Sequence, residues 1–165
     1  MRTTDTKLLD IRPFMARFPT GVGVITTFGS DGRPWGMTCT SMCSVTLEPP
    51  TILVCLRRGS PTLEALLSRG RFALNLLNHT GQPAAELFAS GAPDRFARID
   101  WHHDEGCGGP HLTRASHDTA DCRVARAERV GDHIVVFGEV ERVTQRSDTP
   151  PLLFGLRQYA AWPVA

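Results

Sequence analysis

The sequence predicts a mainly β domain with a few short helices, its strands antiparallel and closed into a barrel. Three observations carry that reading. Ser30-Asp31-Gly32-Arg33 separates two β-type runs. Asp-Gly at such a place is a strong hairpin signal, because glycine accepts the positive φ that the turn needs. Two long β-type runs lie toward the end of the chain, at about residues 120–129 and 133–143, joined at Gly131-Asp132. Only short stretches between the strands carry helical spacing, and closure into a barrel disposes of the strand edges such a chain would otherwise expose.

Taken in order, a first helix is expected to start near Asp10, which can cap it. Pro13 is tolerated in its first turn, and it stops before Pro19. Strands follow at about residues 21–28 and 34–45, by β-branched content and alternation. Glu48-Pro49-Pro50 breaks the chain, and residues 51–57 form a nearly unbroken apolar run, expected to be a central strand. Ser60-Pro61 opens a short helix, since serine is a good N-cap and proline suits the first helical position. Leu63, Leu66 and Leu67 fall on one face of it, and Gly70 closes it. Residues 71–77 read as a strand in which Asn75 is polar inside an apolar run and needs a partner. Residues 83–90 read as another short helix. The stretch 91–118, rich in Gly, His and Asp, reads mostly as loop.

The chain has 165 residues, which suits a single domain over 1–165. Its apolar fraction of 41% and charged fraction of 21% are those of an ordinary globular protein. Lys+Arg number 18 against 17 Asp+Glu, so the basic excess that marks a nucleic-acid binder is absent. Residues 1–17 carry scattered charges and no continuous apolar run, which argues against a secretory signal. The run Ile52-Leu53-Val54-Cys55-Leu56 is far too short to span a membrane. Five cysteines, an odd number without a paired framework, predict free thiols in a reducing cytoplasm. Cys55, inside an apolar run, reads as a small buried hydrophobe.

Several chemistries lack their signatures. The sequence has no Gly-x-Ser-x-Gly elbow and no P-loop. Gly21-Val22-Gly23 lacks the third glycine of a Rossmann fingerprint, so an NAD(P)H enzyme built on this chain must hold nicotinamide another way. His102, His103, Cys107 and His111 lie close together, but their spacing matches no strong zinc pattern, and no metal site is assigned.

Three polar constellations remain. The hydroxyls of Thr20, Thr38, Thr40 and Ser41 fall on neighbouring backbone of the first hairpin. They can bind a polar ring edge or a phosphate, or they form a polar strand face and nothing more. Arg57-Arg58-Gly59-Ser60-Pro61-Thr62-Leu63 follows a strand and opens a helix. Helix N-termini bind anions through free N–H groups and the dipole, and adjacent arginines make a phosphate clamp; the alternative is a capped helix with solvated arginines. His133, just after a turn, can donate a hydrogen bond, stack on a ring, or stand at a strand end without a role.

The run from Phe18 to Thr27 is followed by Gly36-Met37-Thr38-Cys39-Thr40-Ser41, the Arg57 segment and Arg71-Phe72-Ala73-Leu74-Asn75-Leu76-Leu77. Next come Asp94-Arg95-Phe96-Ala97, Trp101 and Gly109-Pro110, then Gly131-Asp132-His133-Ile134 with Gly138-Glu139-Val140. In this order, over about residues 14–159, they resemble the flavin reductase-like family, the small reductase components of two-component flavin-dependent monooxygenases. The resemblance implies an antiparallel Greek-key split β-barrel of the FMN-binding type. It implies a homodimer with flavin sites near the subunit interface. It also implies cytoplasmic reduction of FMN or FAD by NADH or NADPH, and delivery of reduced flavin to a partner monooxygenase. By matching position, Thr20, Thr38, Cys39, Thr40 and Ser41 would line the isoalloxazine and ribityl chain. Ser44, Arg57, Ser60 and Thr62 are candidates for the chain and phosphate, and His133 for positioning nicotinamide. Family members often carry Ala-Ser-Ser where this chain has Cys39-Thr40-Ser41; the thiol would add bulk beside the flavin. Two alternatives stay open: a flavoprotein that holds FMN tightly and acts on another substrate, and a non-enzymatic flavin- or metal-binding module.

Overall fold

A computed structural model of the chain describes residues 9–163. Its main sheet has seven strands in the order β3-β2-β6-β9-β10-β5-β4. These are β2 (Gly23–Phe28), β3 (Pro34–Cys39), β4 (Met42–Leu47), β5 (Pro50–Arg57), β6 (Arg71–Leu77), β9 (Ser116–Val130) and β10 (His133–Gln145), and every pairing is antiparallel. β3 and β4 occupy opposite ends of that order, yet only Thr40 and Ser41 separate them in sequence. In a flat sheet the two ends would lie about 29 Å apart, at about 4.8 Å per strand. The link from Cys39 to Met42 reaches at most about 11 Å. The sheet therefore curls until its edges meet, and the link joins the β4–β5 ladder at once, Ser41 O accepting the Cys55 N–H at 2.9 Å. The expected continuous strand over 34–45 is thus two strands, broken where the barrel shuts.

The first hairpin forms as expected. Phe28 pairs with Pro34, Gly29 N–H donates to Arg33 O at 2.8 Å, and Gly32 takes φ +77°. The expected strand over 21–28 is also split. β1 (Thr20–Gly21) leaves the barrel to join β11 (Leu152–Gly155) and β12 (Gln158–Ala161) in a small separate sheet. β11 and β12 are too short to announce themselves by alternation.

Helix α2 (Pro61–Arg69) matches its sequence signals: Ser60 Oγ accepts the Leu63 N–H at 3.2 Å, and Gly70 caps the C-terminus at φ +71°. Leu63 and Leu66 are buried, but Leu67 lies 40% exposed, because the helix covers one end of the barrel with a narrower stripe than the spacing suggested. α1 (Arg12–Met15) is a single turn with Ile11, not Asp10, at its cap. Asp10 Oδ1 still accepts the Arg12 N–H at 3.0 Å. α3 (Gln82–Ser90) lies where expected.

The core has two parts. Ile25, Val54, Leu56, Phe72, Leu74, Cys122 and Val136 fill the barrel, closed by Leu63 and Leu66 of α2. Val22, Val24, Leu77, Leu112 and Leu152 pack outside it beneath α3, with Ala84, Ala85 and Phe88. β2 is buried on both faces for that reason. The interior is stitched by Asn75. Its Nδ2 donates to Val24 O, Thr26 Oγ1 and Pro110 O at 3.1–3.2 Å. Its Oδ1 accepts Leu112 N–H at 2.8 Å and Thr119 Oγ1–H at 3.2 Å.

The stretch 91–118 is more ordered than a loop reading suggests. It carries a 3-10 turn at Arg95–Ala97 and a two-stranded ribbon, β7 (Trp101–His102) with β8 (His111–Leu112). Gly108 and Gly109 let its backbone press against Phe72 O and Thr26 O, where a Cβ would have no room. His111 and Asp121 are buried and bonded at 2.8 Å. Asp121 also accepts Gly108 N–H at 2.7 Å and Arg142 Nε–H at 2.8 Å. Arg146 donates to His111 Nδ1 at 3.1 Å, which leaves Nε2 as the protonated nitrogen facing the carboxylate. Among the described residues no three His, Cys, Asp or Glu side chains are placed to share a metal ion.

Candidate functional site

The closing seam opens into a cleft of about 880 Å³. Its lining combines the hydroxyls of Thr20, Thr40 and Ser41 with the apolar side chains of Phe18, Met15, Leu53 and Phe154. Thr20 arrives from β1, and Thr40 and Ser41 are the two residues that carry the chain from one sheet edge to the other. Thr20 Oγ1 is buried without a hydrogen-bond partner among the described residues. A buried hydroxyl left unpaired costs free energy, about 1–3 kcal/mol, which a ligand with a polar edge recovers. Cys43 and Cys55 also face the cleft. Cys55 is half-buried rather than core, because β5 is second from the barrel's edge, not central, and its Leu53 and Cys55 face has no covering element.

Thr38 does not share this cleft. Its Oγ1 donates to Ala85 O of α3 at 2.6 Å, and it lines a second pocket of about 380 Å³ with Ser60, Thr62, Met37, Trp35 and Arg95. This pocket opens on the N-terminus of α2. Thr38 and Thr40 are two residues apart, about 6.6 Å at strand rise, so the two hollows sit side by side along the β3 backbone. Cys39 lies between them and lines neither. It is 6% exposed, and its Sγ sits against Ser41 O and Cys55 O at 3.5 and 3.8 Å. Burial pushes its thiol up to about 11. Ser44 stands exposed on β4, opposite Ile52.

A third group forms at the end of β5. His133 pairs in register with Arg57, and Arg58 N–H donates to Asp132 O at 2.9 Å, so the Gly131-Asp132 turn docks beside the approach to α2. His133 Nδ1 meets Asp132 Oδ1 at 2.8 Å, with the imidazole about half exposed. That hydrogen bond, with the charges of His133 and Arg57, holds the Asp132 carboxyl below its usual range. Arg57 is exposed and lines neither pocket.

Sequence reasoning missed Arg95 and Arg157. Arg95, only 7% exposed, projects into the second pocket. It stood within a quoted motif, but a loop arginine reads by composition as solvated. Arg157 lines the cleft from the β11–β12 turn, where Leu156 and Arg157 both take positive φ. Nothing in the local sequence marks that turn, since neither residue is Gly, Asn or Asp.

A curled antiparallel sheet, closed at a hydroxyl-bearing seam between a cleft and the pocket at a helix N-terminus, defines a split-barrel protein. The chain belongs to the flavin reductase family: the sequence model described as "Flavin reductase like domain" matches residues 15–163. The chain is 49% identical over 93% of its length to "Flavin reductase (NADPH)" of Lentzea aerocolonigenes, covering 89% of that protein. It is 39% identical over 87% of its length to "Flavin-dependent monooxygenase, reductase subunit HsaB" of Mycobacterium tuberculosis, covering 76% of it. Among solved structures, the NADH:FAD oxidoreductase SgcE6 of Streptomyces globisporus C-1027 superposes with a TM-score of 0.87 at 30% identity. That match covers 99% of this chain and 98% of SgcE6.

Proposed function

We propose that this chain is an NAD(P)H-dependent flavin reductase that reduces FMN or FAD and supplies reduced flavin to a partner monooxygenase. The observation that carries the reading is the seam cleft. It combines an orphaned Thr20 hydroxyl, Thr40 and Ser41 with apolar side chains in one lining, which suits a planar ring with a polar edge. Hydride passes between nicotinamide and flavin by the chemistry of those rings, and the protein's part is binding, orientation and exclusion of water. Thr20, Thr40 and Ser41 hold the polar ring edge; Phe18, Met15 and Phe154 cover the ring and keep the cleft dry. Thr38, Ser60 and Thr62 follow the ribityl chain toward its phosphate. Cys39 acts from below the seam by shape, since its buried, protonated thiol is a packing group. Ser44 and Arg57 stand further out and meet the ligand only at its periphery. His133, paired with Arg57 at the end of β5, is assigned to seat nicotinamide.

Exposed Phe14 and Phe18, 75% and 62% accessible beside the cleft, support a homodimer in which the partner subunit covers this face. No helix among the described residues is long and apolar enough to cross a membrane, which fits a cytoplasmic enzyme. The test is a pyridine-nucleotide oxidation assay. Oxidation of NADH or NADPH should require added FMN, FAD or riboflavin, and no flavin-dependent oxidation with either nucleotide would refute the function.

A further inference from the structure

The β7–β8 ribbon is tied to the barrel by an arginine that has no carboxylate. Arg146, just past the end of β10, forms no ion pair among the described residues, and its Nη2 lies 3.3 Å from His102 Nε2 and 3.1 Å from His111 Nδ1. A guanidinium only donates, so both imidazole nitrogens must be unprotonated to accept. His111 is buried and meets that condition with its other nitrogen on Asp121 Oδ1 at 2.8 Å. His102 differs: its side chain is 37% exposed, and the same Nε2 lies 3.6 Å from Asp104 Oδ2. One nitrogen of a solvent-accessible imidazole thus stands between a permanent cation and a carboxylate. The charged and titratable groups around it are Asp104 and His103 on its own segment, His111 on β8, Asp121 on β9, and Arg142 and Arg146 on β10. Asp118 and Asp148 share a small pocket with Arg146, and Asp118 is bonded to His117 at 3.0 Å.

We infer that His102 is a proton-controlled latch on β7. Neutral, it accepts from Arg146 and clamps β7 against the end of β10. Protonated, its Nε2 carries a hydrogen and the ring carries a positive charge beside the guanidinium. The contact with Arg146 is then lost, and the ring pairs with Asp104. The latch is intact above the histidine range and released as pH falls through it. β8 stays in place, because Leu112 N–H donates to Asn75 Oδ1 and His111 is bonded to Asp121. Only two residue pairs hold β7 to β8. The release reaches the second pocket through a stack of rings. Trp101, the neighbour of His102, donates its Nε1–H to Phe96 O at 3.0 Å, and the two ring centroids are 5.8 Å apart. Phe96 packs on Phe88 at 5.1 Å, and Phe88 lines the pocket. Freeing β7 removes the support behind that wall, so acid weakens the hold on a ligand seated there. The coupling to ligand rests on the flavin reductase reading; the latch itself does not.

Hydrogen exchange read by mass spectrometry on the full-length protein at pH 7.5 and 5.5, corrected for the intrinsic rate, tests the latch. In wild type, peptides covering residues 99–105 should lose about five- to tenfold in protection at the lower pH, the loss of one hydrogen bond, while peptides of β5 hold theirs. His102→Gln keeps an acceptor for Arg146 and takes no proton, so its 99–105 protection should be the same at both pH values. Asp104→Asn removes the second partner and should shrink the wild-type loss. An equal loss in wild type and His102→Gln, or no loss in wild type, would overturn the latch. If His102→Gln fails to fold, the wild-type profile decides: a loss shared equally by 99–105 and β5 overturns it. FMN titrated by fluorescence at the same two pH values tests the coupling. The ratio of wild-type to His102→Gln affinity, in which titration of the FMN phosphate cancels, should fall several-fold on acidification. An unchanged ratio beside the expected exchange result would overturn the coupling to the second pocket. No FMN binding by folded protein at either pH would count against the flavin reductase reading, with the latch decided by exchange alone.

Discussion

Asp121 is 1% exposed, and burial alone would push its carboxyl up. Hydrogen bonds from His111, Gly108 and Arg142 outweigh that and hold it below the usual carboxylate range. Because the folded value lies below the unfolded one, near 3.9, its contribution to stability is complete above that pH. It is lost as pH falls through the folded value. Asp121→Asn leaves His111 and Arg142 facing a neutral amide, a loss of about 1–3 kcal/mol from the charge-assisted hydrogen bonds. Thermal melts between pH 7 and 3 should show a lower, flatter profile for the variant; an unchanged acid limb would exclude Asp121 as the origin of acid sensitivity. The cysteines differ in the same physical terms. Cys39, with its thiol pushed up to about 11 by burial, should stay unmodified at pH 7.5. A maleimide should label exposed Cys43 first, as peptide mass mapping will show. His133 is half exposed and bonded only to its neighbour Asp132, so His133→Ala should leave the fold and flavin affinity alone. If His133 seats nicotinamide, the Michaelis constant for the nucleotide rises while turnover at saturation holds, the pattern of lost ground-state binding.

Elements were legible where their ends carry chemistry. The start and end of α2 follow from Ser60-Pro61 and Gly70, and the β2–β3 turn follows from Asp31-Gly32. Ser60→Ala should cost about 1 kcal/mol of stability from the lost cap, measured by urea unfolding. Elements were illegible where backbone geometry is imposed from elsewhere. The β11–β12 turn holds Leu156 and Arg157 at φ +50° and +61°, and its register pairs Gly155 with Gln158. Leu156 N–H donates to Ala16 O at 2.6 Å, so α1 pins a turn that its own residues disfavour. Leu156→Gly should therefore stabilise the protein by about 1 kcal/mol. No gain, or a loss, would mean the side chain does more than its 66% exposure suggests.

At the scale of the whole molecule, the curled sheet brings β3 and β4 together at Thr40 and Ser41, and one consequence can be measured. With Phe14 and Phe18 exposed beside the cleft, light scattering should report twice the mass expected from 18.1 kDa. Phe14→Asp should shift the mass toward the monomer and weaken flavin binding with it. A monomeric wild type with full activity would show that the cleft needs no cover.

The sequence by itself determined the class of fold, the placement of α2 and α3, the first hairpin, the paired long strands and the hydroxyls of the seam. Each depends on neighbours within a few residues, through glycine φ, proline geometry, caps and alternation. Tertiary structure alone decided which hydroxyls share a hollow. Thr38 and Thr40 are equivalent in sequence, but α3 packs over one and the seam opens at the other. It also decided that Cys55 borders a cleft while Cys39 is core, and that Arg95, a loop arginine by composition, packs against Trp35 and Phe96 in the wall of the second pocket. Burial and closure are properties of segments far apart in the chain, and no local pattern encodes which face another segment will cover.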